Sequence, residues 1–295
     1  MWREFGRIVR SMKRFALVVG VLFLAASCGD ASLKSSLEKM NEAMKKVEGQ
    51  QFKEAEKLLE ESAALSPDNH KASYNLGMVR DRLNEPEKAA EAFEEAVNGS
   101  GDDAMYRYHL GASLFAAKKF PEAKDHLEKA VALNDRLYKA HYKLGRVYNA
   151  LDMPQQAAEA WTTSAKLAPS FGKSFYQLGR LYTVWDFLDE AVSVFQQGVI
   201  NVKDGDDLTN LHYGLGLAYE RQGVWDKAIE AYTSSLSVRK TTLDALRQRG
   251  FAYAAKGDIE NAKKDLQSFI DQGGGGDATQ LQIANERLFK ISALQ

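Results

Sequence analysis

The sequence predicts an all-α protein, and its composition and a repeated small-residue pattern both indicate this class. Of the 295 residues, 45% are hydrophobic, which is enough to form a folded core. The chain has only five prolines and abundant Ala, Leu, Glu and Lys, a balance that favours helix over sheet. Small residues also recur at a fixed spacing along most of the chain, as repeated pairs of helices would require.

Alanine recurs every 34 residues in this pattern. The series comprises Ala55, Ala89, Ala123, Ala157 and Ala191, and after one step of 37 it continues at Ala228 and Ala262. Twelve residues before the second to seventh alanines stand Gly77, Gly111, Gly145, Gly179, Gly216 and Gly250. Four residues after the alanines stand Leu59, Phe93, Leu127, Trp161, Phe195, Tyr232 and Leu266. Such a period predicts a helix pair repeated along the chain.

Gly145 shows why a helix in this pattern carries a glycine. Glycine inside a helix costs about 1 kcal/mol relative to alanine, so it is expected where a side chain would prevent close approach. We expect Gly145 on a first helix and Ala157 on a second helix to be the small contacts of an antiparallel pair. Trp161 is expected to fill the space beyond them.

Leucine precedes five of the six glycines, at Leu76, Leu110, Leu144, Leu178 and Leu215. The resulting Leu-Gly, Ala and aromatic pattern resembles the tetratricopeptide repeat family, whose unit is a 34-residue helix-turn-helix. The resemblance covers residues 36–276 and implies a right-handed superhelical solenoid of about seven units. The step of 37 places three additional residues near the stretch from Lys203 to Asp207, which is interpreted as a longer loop between repeats, and Gly273 to Gly276 end the array. Residues 277–295 are expected to form a capping helix. The units start near Ser36, His70, Ala104, Tyr138, Gly172, Thr209 and Leu243, and the apolar residues of the capping helix are Leu281, Ala284, Leu288 and Ile291.

The N-terminal segment predicts an export signal over residues 1–27, starting at Met1 or Met12. Basic residues precede an uncharged run that is shorter than the roughly 20 apolar residues of a membrane-spanning helix. Cys28, the only cysteine, follows Leu-Ala-Ala-Ser, which resembles a bacterial lipobox and implies that Cys28 is acylated. Residues 28–35 would then be the lipidated cysteine and a short linker. The expected location is the bacterial outer membrane, with the lipid-anchored protein facing the periplasm.

The same segment allows an alternative. Ala25 and Ser27 also satisfy the small-x-small rule of ordinary signal cleavage, which would release a soluble exported protein with an unmodified Cys28.

Few features of the sequence indicate chemistry. The formal net charge of -1 gives no general attraction to nucleic acid. The five histidines are scattered and there is no second cysteine, so we expect neither a metal site nor a cofactor. No Gly-x-Ser-x-Gly motif is present, and a non-catalytic protein is expected.

The family resemblance implies that the first helix of each repeat forms a concave surface that binds protein partners. Tyrosine recurs on the corresponding face at Tyr74, Tyr108, Tyr142, Tyr176 and Tyr213, and Lys71 lies beside the first of them. Positive charge concentrates in the fourth and fifth repeats at Lys139, Lys143, Arg146, Lys173 and Arg180. We expect this groove to bind an acidic or C-terminal segment over an apolar tyrosine floor. The alternative is a solvated basic face whose tyrosines only pack neighbouring helices.

These features predict a membrane-anchored adaptor in the cell envelope. The arrangement resembles the tetratricopeptide lipoproteins that serve as pilotins for type IV pilus secretins, which implies a secretin subunit as a partner. A scaffold for cell-wall enzymes or for another secretion apparatus is an alternative. An enzyme or a soluble periplasmic binding protein is a further alternative.

Overall fold

The computed structural model describes residues 31–100, 103–203, 205–239 and 242–293, and every regular element in these ranges is helical. Residues 31–48 form α1. The other α-helices are α2 (Phe52–Leu65), α3 (His70–Arg82), α4 (Pro86–Ser100), α5 (Ala104–Ala116), α6 (Phe120–Leu133), α7 (Tyr138–Ala150), α8 (Pro154–Leu167), α9 (Gly172–Val184), α10 (Leu188–Asn201), α11 (Gly205–Arg221), α12 (Trp225–Val238), α13 (Leu243–Lys256), α14 (Ile259–Asp271) and α15 (Ala278–Ser292).

The helices form two compact units that divide after Asp135. The first unit contains α1–α6 and the second contains α7–α15. Within each unit, a first helix packs against the second helix of its own pair, and that second helix packs against the first helix of the following pair. The described ranges contain seven such pairs, as the alanine spacing predicts.

The residues that define the repeat form the contact between the two helices of each pair. All seven alanines of the series are fully buried, and the large residues that follow them are at most 2% exposed. A Cβ added at Gly145 would lie 2.6 Å from Cδ1 of Trp161. Gly77, Gly111, Gly179, Gly216 and Gly250 contact the corresponding large residue in the same way. The predicted role of glycine as a point of close approach is confirmed.

Buried serines form a hydrogen bond between the two helices of a pair, which was not predicted from the sequence. Ser164 near the end of α8 donates to the carbonyl oxygen of Tyr138 at the start of α7, at 2.9 Å. This contact shows that the two helices run antiparallel. Ser62 donates to the Ser36 carbonyl at 2.7 Å, and Ser235 donates to the Thr209 carbonyl at 3.0 Å. Each bond joins residues 26 positions apart, so the same geometry recurs in three pairs.

Two boundaries differ from the sequence-based expectation. The extra residues before Thr209 were expected to form a loop, but they belong to a helix, because α11 begins at Gly205 and has 17 residues. Asp206 and Asp207 lie in the first turn of α11, where carboxylates interact favourably with the positive end of the helix dipole. Residues 31–35, which the sequence analysis assigned to a linker, are helical as part of α1.

The C-terminal helix is connected through the four glycines. Gly273 to Gly276 all have positive φ, between +58° and +80°, and form a tight turn between α14 and α15. Asp277 caps α15 by accepting hydrogen bonds from the backbone N–H groups of Thr279 and Gln280. Ala284 and Ile291 of α15 are buried in a cluster that includes Leu266 and Phe269 of α14. A helix covering the last repeat was predicted, and α15 occupies that position.

The predicted signal peptide and Cys28 lie outside the described residues. Among the helices of the described ranges, none has the length and apolar content needed to cross a membrane.

Candidate functional site

The basic residues predicted in the fourth and fifth repeats lie on α7 and α9, both in the second unit. These two helices contain five lysines and arginines and no aspartate or glutamate. Lys139, Lys173 and Arg180 are exposed, whereas Lys143 and Arg146 are partly buried. Two first helices of neighbouring pairs therefore present positive charge without an acidic residue in either helix.

Two of the three exposed cations, Lys139 and Arg180, lie beside aromatic rings. The Nζ atom of Lys139 lies 6.0 Å from the ring centroid of Tyr138, and Cζ of Arg180 lies 5.7 Å from that of Tyr176. Cation–π contacts at exposed sites contribute about 0.5–1 kcal/mol, enough to bias the side-chain position. Within the described ranges, no carboxylate forms an ion pair with Lys139, Lys173 or Arg180. Arg80, Arg221 and Arg249, in contrast, all bind carboxylates.

A small pocket lies beside Arg180 between α7, α8 and α9. It has a volume of about 180 Å³ and is lined by Asn149, Trp161, Gln177, Arg180, Leu181 and Val184. The indole of Trp161 is fixed because its Nε1 donates to the Tyr142 carbonyl oxygen at 3.2 Å. The pocket combines a cation and two side-chain amides with an apolar wall, so it can accept an acidic side chain together with its methylene groups.

The five predicted tyrosines are used largely for packing. Tyr108 and Tyr142 are buried, and Tyr74, Tyr176 and Tyr213 are partly buried. The ring of Tyr74 stacks on Tyr106 at 4.4 Å between centroids, and those of Tyr142, Tyr176 and Tyr213 contact Phe171, Phe195 and Tyr232 at 5.1, 6.3 and 5.9 Å. Their use as a groove floor stays a prediction.

In the first unit, the predicted residues Lys71 and Tyr74 lie on α3. Lys71 is exposed. Tyr74 lines an open cleft of about 640 Å³ together with Met44, Phe52 and Met78. Methionines adapt their shape to different apolar partners, so this cleft can receive an apolar side chain.

A half-buried polar cluster surrounds Tyr213 in the second unit. The Tyr232 hydroxyl donates a 2.5 Å hydrogen bond to Oε2 of Glu220. Burial raises the pKa of Glu220, although that hydrogen bond and Arg247 oppose the shift. Burial and the charge of Asp244 raise the pKa of Tyr213 to about 12. Tyr213 therefore stays a neutral phenol to higher pH than an exposed tyrosine does.

Four residues of this region were not predicted from the sequence, namely Asn149, Gln177, Val184 and Phe187. Asn149 and Gln177 are unremarkable polar residues until α7 and α9 are packed together. Val184 and Phe187 could have been identified by aligning the repeats, because both are bulky apolar residues at positions that are mostly charged, polar or alanine in the other repeats. For metal binding, no group of three or more His, Cys, Asp or Glu in the described part of the chain has the required proximity.

Comparison with known families identifies the fold. A family model described as "Anaphase-promoting complex, cyclosome, subunit 3" matches residues 48–130. Two models described as "Tetratricopeptide repeat" match residues 211–246 and 244–272. The chain is a tetratricopeptide repeat protein. Proteins with this repeat bind peptide or protein partners and are typically non-catalytic scaffolds.

Solved structures of other tetratricopeptide repeat proteins share this architecture. YrrB, "a TPR protein with an unusual peptide-binding site", is 23% identical, with a TM-score of 0.54 over 67% of this chain and 99% of its own. PilW, a "widely conserved type IV pilus biogenesis factor", is 21% identical, with a TM-score of 0.59 over 71% of this chain and 96% of its own. A tetratricopeptide repeat protein from Parabacteroides merdae is 16% identical, with a TM-score of 0.61 over 88% of this chain and 99% of its own. At these identities the likeness shows the fold alone. No curated protein matches the sequence.

Proposed function

We propose that the protein is a non-catalytic, membrane-anchored adaptor that binds an acidic segment of another envelope protein on α7 and α9. The supporting observation is the charge distribution on these helices. Lys139, Lys173 and Arg180 are exposed on first helices that lack acidic residues, and no described carboxylate pairs with them. Complementary charge on a partner would steer its approach and select against basic or neutral segments.

The proposed setting is assembly of an outer-membrane complex, such as the secretin of a type IV pilus. Two observations support it. The lipobox-like sequence before Cys28 would anchor the chain, with only Gly29 and Asp30 between the acylated cysteine and the first described residue of α1. The fold is also the one found in the pilus factor PilW. A short connection would keep the repeats close to the membrane in which a secretin inserts.

The test is capture of partners from detergent-solubilised envelopes with the full chain. We expect the K173E/R180E variant to lose the partner that copurifies with the unaltered protein, because both substitutions reverse charge on the proposed face. Lys173 and Arg180 are preferred to Arg146, which is partly buried and engaged in other contacts. The matched control is K166E/K203E, which reverses two exposed lysines of the same unit outside α7 and α9.

Each part of the proposal has its own contradictory outcome. Recovery of the same partner with all three proteins would refute binding on α7 and α9. Recovery of a cell-wall enzyme or of another secretion component, lost only with K173E/R180E, would support binding on α7 and α9. The same result would refute the proposed role in type IV pilus assembly.

A further inference from the structure

The turn between α9 and α10 exposes a cluster of apolar side chains. Val184, the last residue of α9, is 71% exposed, and Phe187 is 51% exposed. Trp185 lies between them, and its ring meets that of Phe187 at 6.1 Å between centroids in a T-shaped contact. We call Val184, Trp185 and Phe187 the turn patch. Bulky apolar side chains exposed side by side are typical of a surface that binds a partner.

The fifth pair differs from all the other pairs at Val184 and from four of the six at Phe187, since the fourth and sixth pairs carry the apolar residues Met153 and Val224 at that position. Residues equivalent to Val184 in the other pairs are charged or alanine, namely Glu48, Arg82, Ala116, Ala150, Arg221 and Ala255. The position of Phe187 is polar in the first, second, third and seventh pairs, where it is Gln51, Glu85, Lys119 and Asp258. The repeat architecture therefore does not require a bulky apolar residue at either position.

Helix stability does not explain Phe187 either. Phe187 is the N-cap residue of α10 and supplies no side-chain hydrogen bond to the helix. Asp258, at the same position of the seventh pair, accepts a hydrogen bond from the Asn261 N–H and caps α14. Gln51, Lys119, Met153 and Val224 also give no side-chain cap, so the lack of a cap is common to most pairs and shows only that capping is not the reason for Phe187.

The turn patch is continuous with the basic face. Val184 and Arg180 are four residues apart on α9, so their side chains are neighbours on one helical face. Both line the pocket that also contains Asn149 and Gln177. A segment bound at Arg180 would therefore meet the apolar patch within one helical turn.

Charges beyond the patch define its other boundary. Asp186, Asp189 and Glu190 are exposed around Phe187, and only Asp186 is paired with an arginine, through Arg221 Nη2 at 2.9 Å. Such carboxylates would repel an anionic lipid surface, so a protein segment is the favoured occupant. They also disfavour a second acidic residue on the side of the segment that faces α10.

We propose that the partner segment carries an acidic side chain beside a large apolar side chain. The carboxylate binds Arg180 and the amides of Asn149 and Gln177, while the apolar side chain packs on Val184, Trp185 and Phe187. This inference rests on the proposed function and specifies the chemistry of the segment that α7 and α9 recognise.

The experiment selects random peptides displayed on phage against the full chain. We expect enriched peptides to place Asp or Glu next to Leu, Ile, Phe, Met or Trp. For one enriched peptide measured by fluorescence anisotropy, V184S/F187S should lower the affinity about tenfold. I200S is the matched control, because Ile200 on α10 is 76% exposed and lies outside the patch. R180Q should abolish the preference for that peptide over its Glu→Gln form.

The outcomes separate this inference from the proposed function. Two results would overturn the inference and leave the proposed function intact. One is enrichment of acidic peptides that have no preference for a neighbouring apolar residue, and the other is an unchanged affinity of the selected peptide for V184S/F187S. Peptides without acidic residues that bind R180Q equally well would overturn both. Binding of anionic lipid vesicles through Val184 and Phe187 without peptide binding, or a selection that enriches no common pattern, would overturn the inference as well.

Discussion

At the scale of single residues, the clearest link between sequence and packing is Gly145 against Trp161. The indole is 2% exposed, and its Nε1 is bonded to the backbone of Tyr142. A Cβ at position 145 would lie 2.6 Å from the ring, so the ring and one helix would have to move apart. The glycine thus sets how closely α7 and α8 approach.

We predict that G145A lowers the free energy of unfolding by about 1–3 kcal/mol, the usual cost of overpacking a core. The loss should appear even though alanine favours helix over glycine by about 1 kcal/mol. Urea denaturation would measure it. G205A is the control, because Gly205 is also helical and a Cβ there would lie 4.0 Å from its nearest neighbour, Val238. Equal stability of G145A and the unaltered protein would show that close approach does not explain the glycine.

Residue spacing was sufficient to predict these contacts but not the state of the tyrosines. Gly145, Ala157 and Trp161 each repeat with the period of the fold, so their roles follow from position alone. Tyr142 repeats equally well, yet its ring is buried against Phe171, a residue of the loop before α9 that carries no repeat signal. Whether a tyrosine lines a groove or fills a gap depends on such neighbours.

At the scale of elements, the connection to α15 depends on backbone conformations that only glycine adopts readily. Gly274 has φ of +58°, and a Cβ there would lie 3.0 Å from Cδ1 of Leu281 on α15. Gly276 has φ of +80°, but a Cβ there would meet nothing within 4 Å. The two glycines therefore share the conformational requirement and differ in the space available.

We predict that G276A destabilises the turn by about 1–2 kcal/mol, the cost of a left-handed conformation for an L-residue. G274A should be more destabilising, because it adds the contact with Leu281. Hydrogen exchange over residues 278–292 would report the loss, since α15 packs through Ala284 and Ile291 on α14. Equal exchange rates in the two variants would mean that the Leu281 contact does not hold α15.

The elements themselves were largely predictable. Observed first helices begin at His70, Ala104, Tyr138, Gly172 and Leu243, as the period predicts. The exceptions are α1, which includes residues 31–35, and α11, where three inserted residues carry Gly and Asp, which are typical of loops. Asp206 and Asp207 lie at the positive end of the helix dipole, and Asp206 also forms an ion pair with Arg239, a residue 33 positions away. A local sequence pattern cannot predict a contact between residues so far apart in the chain.

At the scale of the whole molecule, the net charge is only -1, yet positive charge is concentrated on α7 and α9. The basic residues of α7 and α9 were predictable from the sequence, because aligning the repeats places them on one face. The pocket beside Arg180 was not predicted, because it requires the packing of α7, α8 and α9. The turn patch could have been predicted, because Val184 and Phe187 are bulky apolar residues at repeat positions that are mostly charged, polar or alanine. Aligned repeats predict which residues share a face, and the packed helices define what that face can bind.

The proposed lipid anchor would be attached at Cys28, and we predict that C28S releases the protein from membranes. Each buried methylene of an acyl chain contributes about 0.8 kcal/mol, so several chains would hold the mature protein in the detergent phase during phase partitioning. C28S should move to the aqueous phase, while A31S, three residues further on, should behave like the unaltered protein. Aqueous partitioning of the unaltered protein would instead indicate ordinary cleavage after Ser27. Retention of C28S in detergent would assign the anchor to the uncleaved apolar run from Phe15 to Ser27.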